Sequence, residues 1–139
     1  MIRAATAGDA AALGDILQDW LNATPWMPKL HERVETHGFL GHVIATQRVF
    51  VAGDCSGFIA LDGADISCLY LADAARGQGI GKALLDHAKS AQDQFDLWTF
   101  QANTGALRFY CREGFVEVER TDGATNDERL PDVRLSWTR

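Results

Sequence analysis

The spacing of apolar residues changes repeatedly along this chain, and each change marks an element. "MIRAA" reads as a short first strand, and Thr6 with Asp9 has the spacing of a capping box. Leu13, Ile16, Leu17, Trp20 and Leu21 then recur at the period of an amphipathic helix. Pro25 and Pro28 in "TPWMP" end it. A second, less regular helical region spans about His31 to Thr46, with Gly38 and Gly41 as interruptions. The period then shortens. "RVFVA", "GFIALD" and "DISCLYLA" are β-rich runs separated by the turn-forming "GDCSG" and "DGAD", which predicts an antiparallel meander. From Gly79 the helical period returns, with Ile80, Ala83, Leu84, His87, Ala88 and Ala91 on one face. "FDLWTFQA" is a further strand, and "NTGALRFYCREG" a helix stopped by Gly114. "FVEVER" and "DVRLSW" follow as strands around a polar loop from Thr121 to Leu130. The predicted order is β-α-α-β-β-β-α-β-α-β-β, an α+β chain read as one domain over residues 1–139.

Composition narrows the function classes. The chain has 139 residues, 47% of them hydrophobic and 23% charged, which suits a globular protein with a sizeable core. No apolar run approaches the ~18 residues of a membrane span, and the N-terminus lacks a signal-peptide core. The three cysteines, Cys55, Cys68 and Cys111, form neither a CxxC pair nor a disulfide framework. A cytoplasmic protein with reduced thiols and no membrane partner is the expectation. The net charge of −6, with no block of Lys or Arg, argues against nucleic acid as a partner.

The chemistry concentrates in "ARGQGIGKALL", residues 75–85, where Gly77, Gly79 and Gly81 precede a helix. Glycines at a helix start let backbone amides wrap an anion. Two familiar phosphate loops fail on specific residues. A Walker A loop needs GxxxxGK[ST], but Ala83 follows Lys82 and Arg76 stands where the first glycine belongs. A dinucleotide GxGxxG fails in both registers, since Lys82 and Leu84 occupy the third glycine position.

What remains is R-x-x-G-x-G after an apolar strand. "LYLADAARGQGIGKALLDHA" resembles the acetyl-CoA-binding segment of the GNAT superfamily of N-acetyltransferases. "NTGALRFYCREGF" resembles that family's second segment, N-x-x-A-x-x-F-Y-x-x-x-G-F, in the right order and at the right distance. Two departures stand out: Gly105 lies inside the second segment's helix, and "ADAAR" replaces the usual proline after the fourth strand. Neither removes a backbone amide. The resemblance implies a mostly antiparallel sheet of about seven strands, flanked by helices and splayed between the fourth and fifth strands.

The same resemblance implies the roles of individual residues. Acetyl-CoA is the expected cofactor, with the backbone of Arg76, Gly77, Gln78, Gly79, Ile80 and Gly81 on its diphosphate and Lys82 as a nearby cation. The amides of Leu69 and Leu71 would face the acetyl carbonyl and pantetheine arm, with Asn103 and Ala106 along that arm and Phe109 packing beside it. Tyr110 would protonate the departing sulfur, since a phenol near pKa ~10 can donate to a thiolate near ~8.5. The expected reaction is direct acetyl transfer to a primary amine, of a small molecule or a peptide, with no metal. A non-catalytic acyl-CoA-binding module is the alternative.

The acceptor side is less determined. Asp65 opens the "DISCLYL" strand and, by period two, would share a face with Ser67, Leu69 and Leu71, making it a candidate base. A hairpin-turn aspartate is the competing reading, and Glu32, Glu35, His31 and His37 are rivals. Trp26, Met27 and His31 are candidate acceptor contacts from the proline-broken loop. Asp127, Glu128 and Asp132 belong either to a solvated loop or to a cationic acceptor's site. The final strand, "DVRLSW", is the expected place for pairing across a homodimer, should one form.

Overall fold

The structure, a computed structural model, describes residues 1–139 throughout. Strand β1 (Ile2–Ala4) leads through a single 3-10 turn (Ala7–Asp9) into α1 (Ala10–Ala23) and α2 (Arg33–Thr46). The meander β2 (Arg48–Ala52), β3 (Gly57–Asp62) and β4 (Asp65–Leu71) follows, then a second 3-10 turn (Asp73–Ala75) and α3 (Ile80–Lys89). The chain ends with β5 (Gln94–Phe100), α4 (Thr104–Arg112), β6 (Val116–Thr121) and β7 (Asp132–Thr138). This is the order the sequence predicts, with the 3-10 turns added.

The seven strands form one sheet in the order β1-β2-β3-β4-β5-β7-β6. Every neighbouring pair is antiparallel except β4 and β5, which α3 connects as a crossover. Strand β7 sits between β5 and β6, so both its edges are already paired. It has no free edge for a dimer contact, contrary to the expectation from its terminal position. The exposed edge at that end belongs to β6.

Both faces of the first half of the sheet are covered. Leu13, Ile16 and Leu17 of α1, with Leu40 and Val43 of α2, pack on Val49, Val51, Phe58, Ala60 and Cys68. Leu84, Leu85 and Ala88 of α3, with Tyr110 and Phe115, cover the opposite face against Ile59, Leu61, Phe95, Leu97, Val133 and Leu135. Burying each large aliphatic side chain contributes roughly 1.5–3 kcal/mol.

Helix α2 starts at Arg33, later than the sequence suggests, and runs unbroken through Gly38 and Gly41. Two interior glycines cost about 1 kcal/mol each. Burial of Thr36, Leu40 and Val43 offsets that, and the Glu32 amide donates to Glu35 Oε1 at 3.0 Å to cap the first turn. At the other helix start, the Thr6 amide donates to Asp9 Oδ2 at 2.8 Å, as the sequence spacing predicts.

Candidate active site

Gly77 and Gly79 both adopt φ +77°, the left-handed region that side chains resist. A Cβ at either position would meet nothing within 4 Å, so the backbone bend alone demands glycine, and the loop's outer surface is open. The Arg76 amide is already used, donating to the Asp73 carbonyl at 3.3 Å. Beyond it, the amides of Gly77, Gln78, Gly79, Ile80, Gly81 and Lys82 donate to no protein acceptor, and bonding resumes with Ala83 N to Gly79 O at 3.0 Å. Six unpaired N–H groups at the positive end of α3 form a donor set that fits a diphosphate. Gln78 braces the loop by donating from Nε2 to the Ala74 carbonyl at 3.1 Å. Lys82 is less free than expected. Its ammonium donates to Asp86 at 3.0 Å and Glu113 at 3.2 Å, which raises its pKa. Arg76 is exposed, with its guanidinium 4.0 Å from Asp73.

The parallel strands diverge beside this loop. Asp65 and Asp96 are the registered pair between β4 and β5, supported by Asp96 N donating to the Ala64 carbonyl at 2.9 Å. A bulge in β4 contributes to the divergence. Ala60 pairs with Cys68 and Leu61 with Ile66, so Ser67 is an extra residue on its strand. Past the bulge, Ala72 N donates to the Ser56 carbonyl at 2.8 Å, which fixes the alternation of the backbone. Leu69 and Leu71, opposite Ile59 and Gly57, therefore turn their N–H and C=O groups away from β3 and toward the splay.

A cleft of about 70 Å3 occupies the splay, lined by Leu69 and Leu97 on the strands and by Asn103, Ala106 and Tyr110 of the α4 region. Tyr110 is only 8% exposed, its ring packed on Phe109 and Phe115 at 5.2 and 5.3 Å. Its hydroxyl makes no protein hydrogen bond, yet it is not sealed from the cleft. Burial raises the phenol's pKa and keeps the proton in place. Asn103 caps α4, its Oδ1 accepting from Ala106 N at 3.1 Å, which leaves its side-chain NH2 for the cleft. Gly81 lies where a Cβ would come within 3.7 Å of both Leu71 and Phe109. Those two side chains form the wall between the glycine loop and the splay.

A larger cavity of about 500 Å3 opens on the other face of β4. Helix α1 contributes Leu17, Gln18 and Leu21; α2 contributes Glu35, Thr36 and Phe39; the α1–α2 loop contributes Met27, Lys29, Leu30 and His31. Phe100 and the β6–β7 loop residues Asp127 and Glu128 close the far side. Gln18 and Thr36 join the helices through a buried hydrogen bond of 2.5 Å. Ser67, Cys68 and Tyr70 line both this cavity and the splay cleft, so the two meet across β4. Burial pushes the Cys68 thiol up to about 11.

The expected acceptor contacts divide. Met27 and His31 line the large cavity. Trp26 does not; it packs edge-to-face with Trp20 at 6.0 Å and Phe100 at 5.9 Å and fixes the loop's position. Asp65 lines neither cavity. The bulge at Ser67 breaks the period-two alternation, placing Ile66 in the core under α3 and Cys68 in the core under α1 and α2. Asp65 thus does not share a face with Leu69 and Leu71. It is exposed at the closed end of the strand pair, near Arg134. Tyr70 and Phe100, which the sequence reading passes over, stand at the junction of the cavities. Tyr70 was hidden because it sits between two leucines in a continuous apolar run, where only knowledge that both faces are covered gives it a role.

A family model described as "Acetyltransferase (GNAT) domain" matches residues 44–117, the stretch that holds the splay and the glycine loop. The chain is 28% identical over 149 aligned residues to the Escherichia coli peptidyl-lysine N-acetyltransferase YiaC, covering 99% of this chain and 96% of that protein. It is 33% identical over 102 residues to the uncharacterized N-acetyltransferase MJ1207 of Methanocaldococcus jannaschii, covering 68% and 45% of the two chains. Among solved structures, the apo form of Escherichia coli YjaB superposes with a TM-score of 0.79 at 22% identity, covering 99% and 96%. The structure of yncA from Salmonella typhimurium, solved with its cofactor acetyl-CoA, superposes at 0.72 with 17% identity, covering 99% and 92%. The chain belongs to the GNAT family, the acetyl-CoA-dependent N-acetyltransferases.

Proposed function

We propose that this protein transfers an acetyl group from acetyl-CoA to the side-chain amine of a lysine in a polypeptide, by direct attack within a ternary complex. The observation that carries this reading is the meeting of two cavities at Ser67, Cys68 and Tyr70. An amine entering from the α1–α2 side reaches β4 where an acyl group held in the splay is exposed. The polypeptide acceptor is supported by the name of the Escherichia coli relative YiaC. It is further supported by Leu30 and Phe39, 47% and 50% exposed at the cavity, an apolar rim suited to a macromolecular surface.

Acetyl-CoA supplies an acyl group already activated as a thioester. The unpaired amides from Gly77 to Lys82 would hold its diphosphate, and the side-chain NH2 of Asn103 would meet the arm. The N–H groups of Leu69 and Leu71, two residues and so about 7 Å apart on β4, would face the acyl oxygen and the pantetheine arm respectively, the first donating where negative charge grows as the amine approaches. Tyr110 holds a proton on its hydroxyl for the departing sulfur. The amine's proton leaves through the acceptor cavity, to a carboxylate there or to solvent. An acyl-cysteine route is disfavoured, because a thiol with a pKa of about 11 is only about one part in ten thousand thiolate at pH 7.

The test is thiol release from acetyl-CoA against a panel of lysine peptides and small amines. Turnover with lysine peptides and mass-shifted lysine in the product are expected. Tight acetyl-CoA binding without turnover on any amine would overturn the reading.

A further inference from the structure

The acceptor cavity is the middle of a longer groove. It shares Gln18, Asn22, Lys29, Leu30 and His31 with a hollow of about 340 Å3 beside α2. It shares Phe100 and Glu128 with another of about 340 Å3 against the open face of β5. The three are continuous along the molecule, with the opening to the splay near the centre. At the α1–α2 end the charges are mixed: Lys29 and Glu32 are exposed and make no ion pair, Glu35 lies 3.7 Å from His31, and Arg33 is spent on Asp15 and Asp19 at 2.9 and 2.8 Å. At the β6–β7 end, the carboxylates of Asp127 and Glu128 make no hydrogen bond or ion pair, and Glu128 is half-buried.

The loop carrying those carboxylates is built to stay in place. Asn126 donates from Nδ2 to the Leu130 carbonyl at 2.8 Å and accepts from Leu130 N at 3.2 Å. Gly123 N donates to Thr121 Oγ1 at 3.1 Å, and Thr121 is bonded in turn to Asp132. Gln101 donates to the carbonyls of Thr121 and Asp132 at 3.2 and 3.0 Å. At Gly123, φ is +81° and a Cβ would fall within 2.2 Å of the Leu130 carbonyl oxygen, so the loop closes tightly on itself. This network uses Asp132 and leaves Asp127 and Glu128 free over the groove. The negative charge of Glu128 also adds to the burial that keeps the Tyr70 phenol protonated at the groove's centre.

We infer that the groove selects lysines with a basic residue on the flank that meets Asp127 and Glu128, and does not select charge on the other flank, which meets Lys29 and Glu32 together. This rests on the polypeptide acceptor proposed above. Chain direction is set by which order of flanks reacts faster.

Four peptides with a central lysine test it: acidic then basic flanks, basic then acidic, both basic, and both acidic. One dipolar order and the doubly basic peptide are expected to exceed the other two peptides in kcat/KM, by about two- to fivefold. Glu128→Lys should abolish that preference, and Lys29→Glu should set the doubly basic peptide above the favoured dipolar one. The readout is a change of preference, which a poorly folded variant does not produce. Equal rates on all four peptides, or charge swaps that leave the ranking unchanged, overturn this inference while sparing the lysine acceptor. Turnover on small amines but on no peptide overturns the lysine acceptor and this inference with it.

Discussion

At Tyr110 a single oxygen atom separates the two things this side chain does. The ring fills the core between Phe109 and Phe115, while the unpartnered hydroxyl faces the splay. Tyr110→Phe should therefore fold normally and bind coenzyme A as well as the parent. Its kcat should fall by about a hundredfold, the lower end of the range for loss of a general acid. Steady-state kinetics paired with calorimetric cofactor affinity checks both halves, and an unchanged kcat would take the phenol out of the chemistry. Gly79 makes the complementary case. With φ +77° and free space around a notional Cβ, Gly79→Ala costs about 1 kcal/mol of backbone strain without a clash. A relaxed loop turns its amides away from their common focus, so coenzyme A affinity should drop about tenfold while the melting temperature moves by only a few degrees.

Among the elements, the α1–α2 pair and strand β4 do most to shape the acceptor side. The helices cross closely at Gly14, where a Cβ would fall 2.6 Å from His37 Cδ2 and 3.0 Å from His37 Cα. Gly14→Ala should push α2 outward, at about 1–3 kcal/mol of stability, and raise KM for the acceptor more than for acetyl-CoA. Denaturant unfolding and the two KM values measure this together. An unchanged denaturation midpoint would mean that the helices do not pack as described. Most elements were legible in the sequence because apolar spacing reports burial, which governs the helices and strands β2 to β5 and β7, whereas β1 and β6 bury no residue. The glycine loop was legible through its residue types. What escaped was the bulge at Ser67, which a period-two reading cannot register: one extra residue reversed the face of Asp65 relative to Leu69. The commitment of Lys82 to Asp86 and Glu113 was hidden for a different reason, since Glu113 lies far along the chain and approaches only when α3 and α4 are placed.

For the molecule as a whole, buried and paired ionisable groups set the pH range of stability. Burial raises the pKa of Tyr70, Tyr110 and Cys68, so the fold favours their protonated forms. That contribution is intact below the ordinary thiol and phenol values, about 8.5 and 10, and is lost as pH rises through the folded values. Asp9 shifts the other way. The Arg3 guanidinium, at 2.8 and 2.9 Å, and the Thr6 amide hold its carboxyl well below the usual carboxylate range. Its contribution is present above about pH 4 and declines as pH falls further. The denaturant midpoint should be flat from about pH 6 to 8 and fall on both sides, with Asp9→Asn reducing the acid-side decline. The central claim is more local: six unpaired amides at the start of α3 hold the diphosphate of coenzyme A. Titrating isotope-labelled protein with coenzyme A, and separately with pantetheine, which lacks the diphosphate, tests it most directly by amide NMR. The account predicts large shifts at Gly77, Gly79 and Gly81 with coenzyme A and small ones with pantetheine. Saturable binding of coenzyme A that leaves those amides unmoved would contradict it.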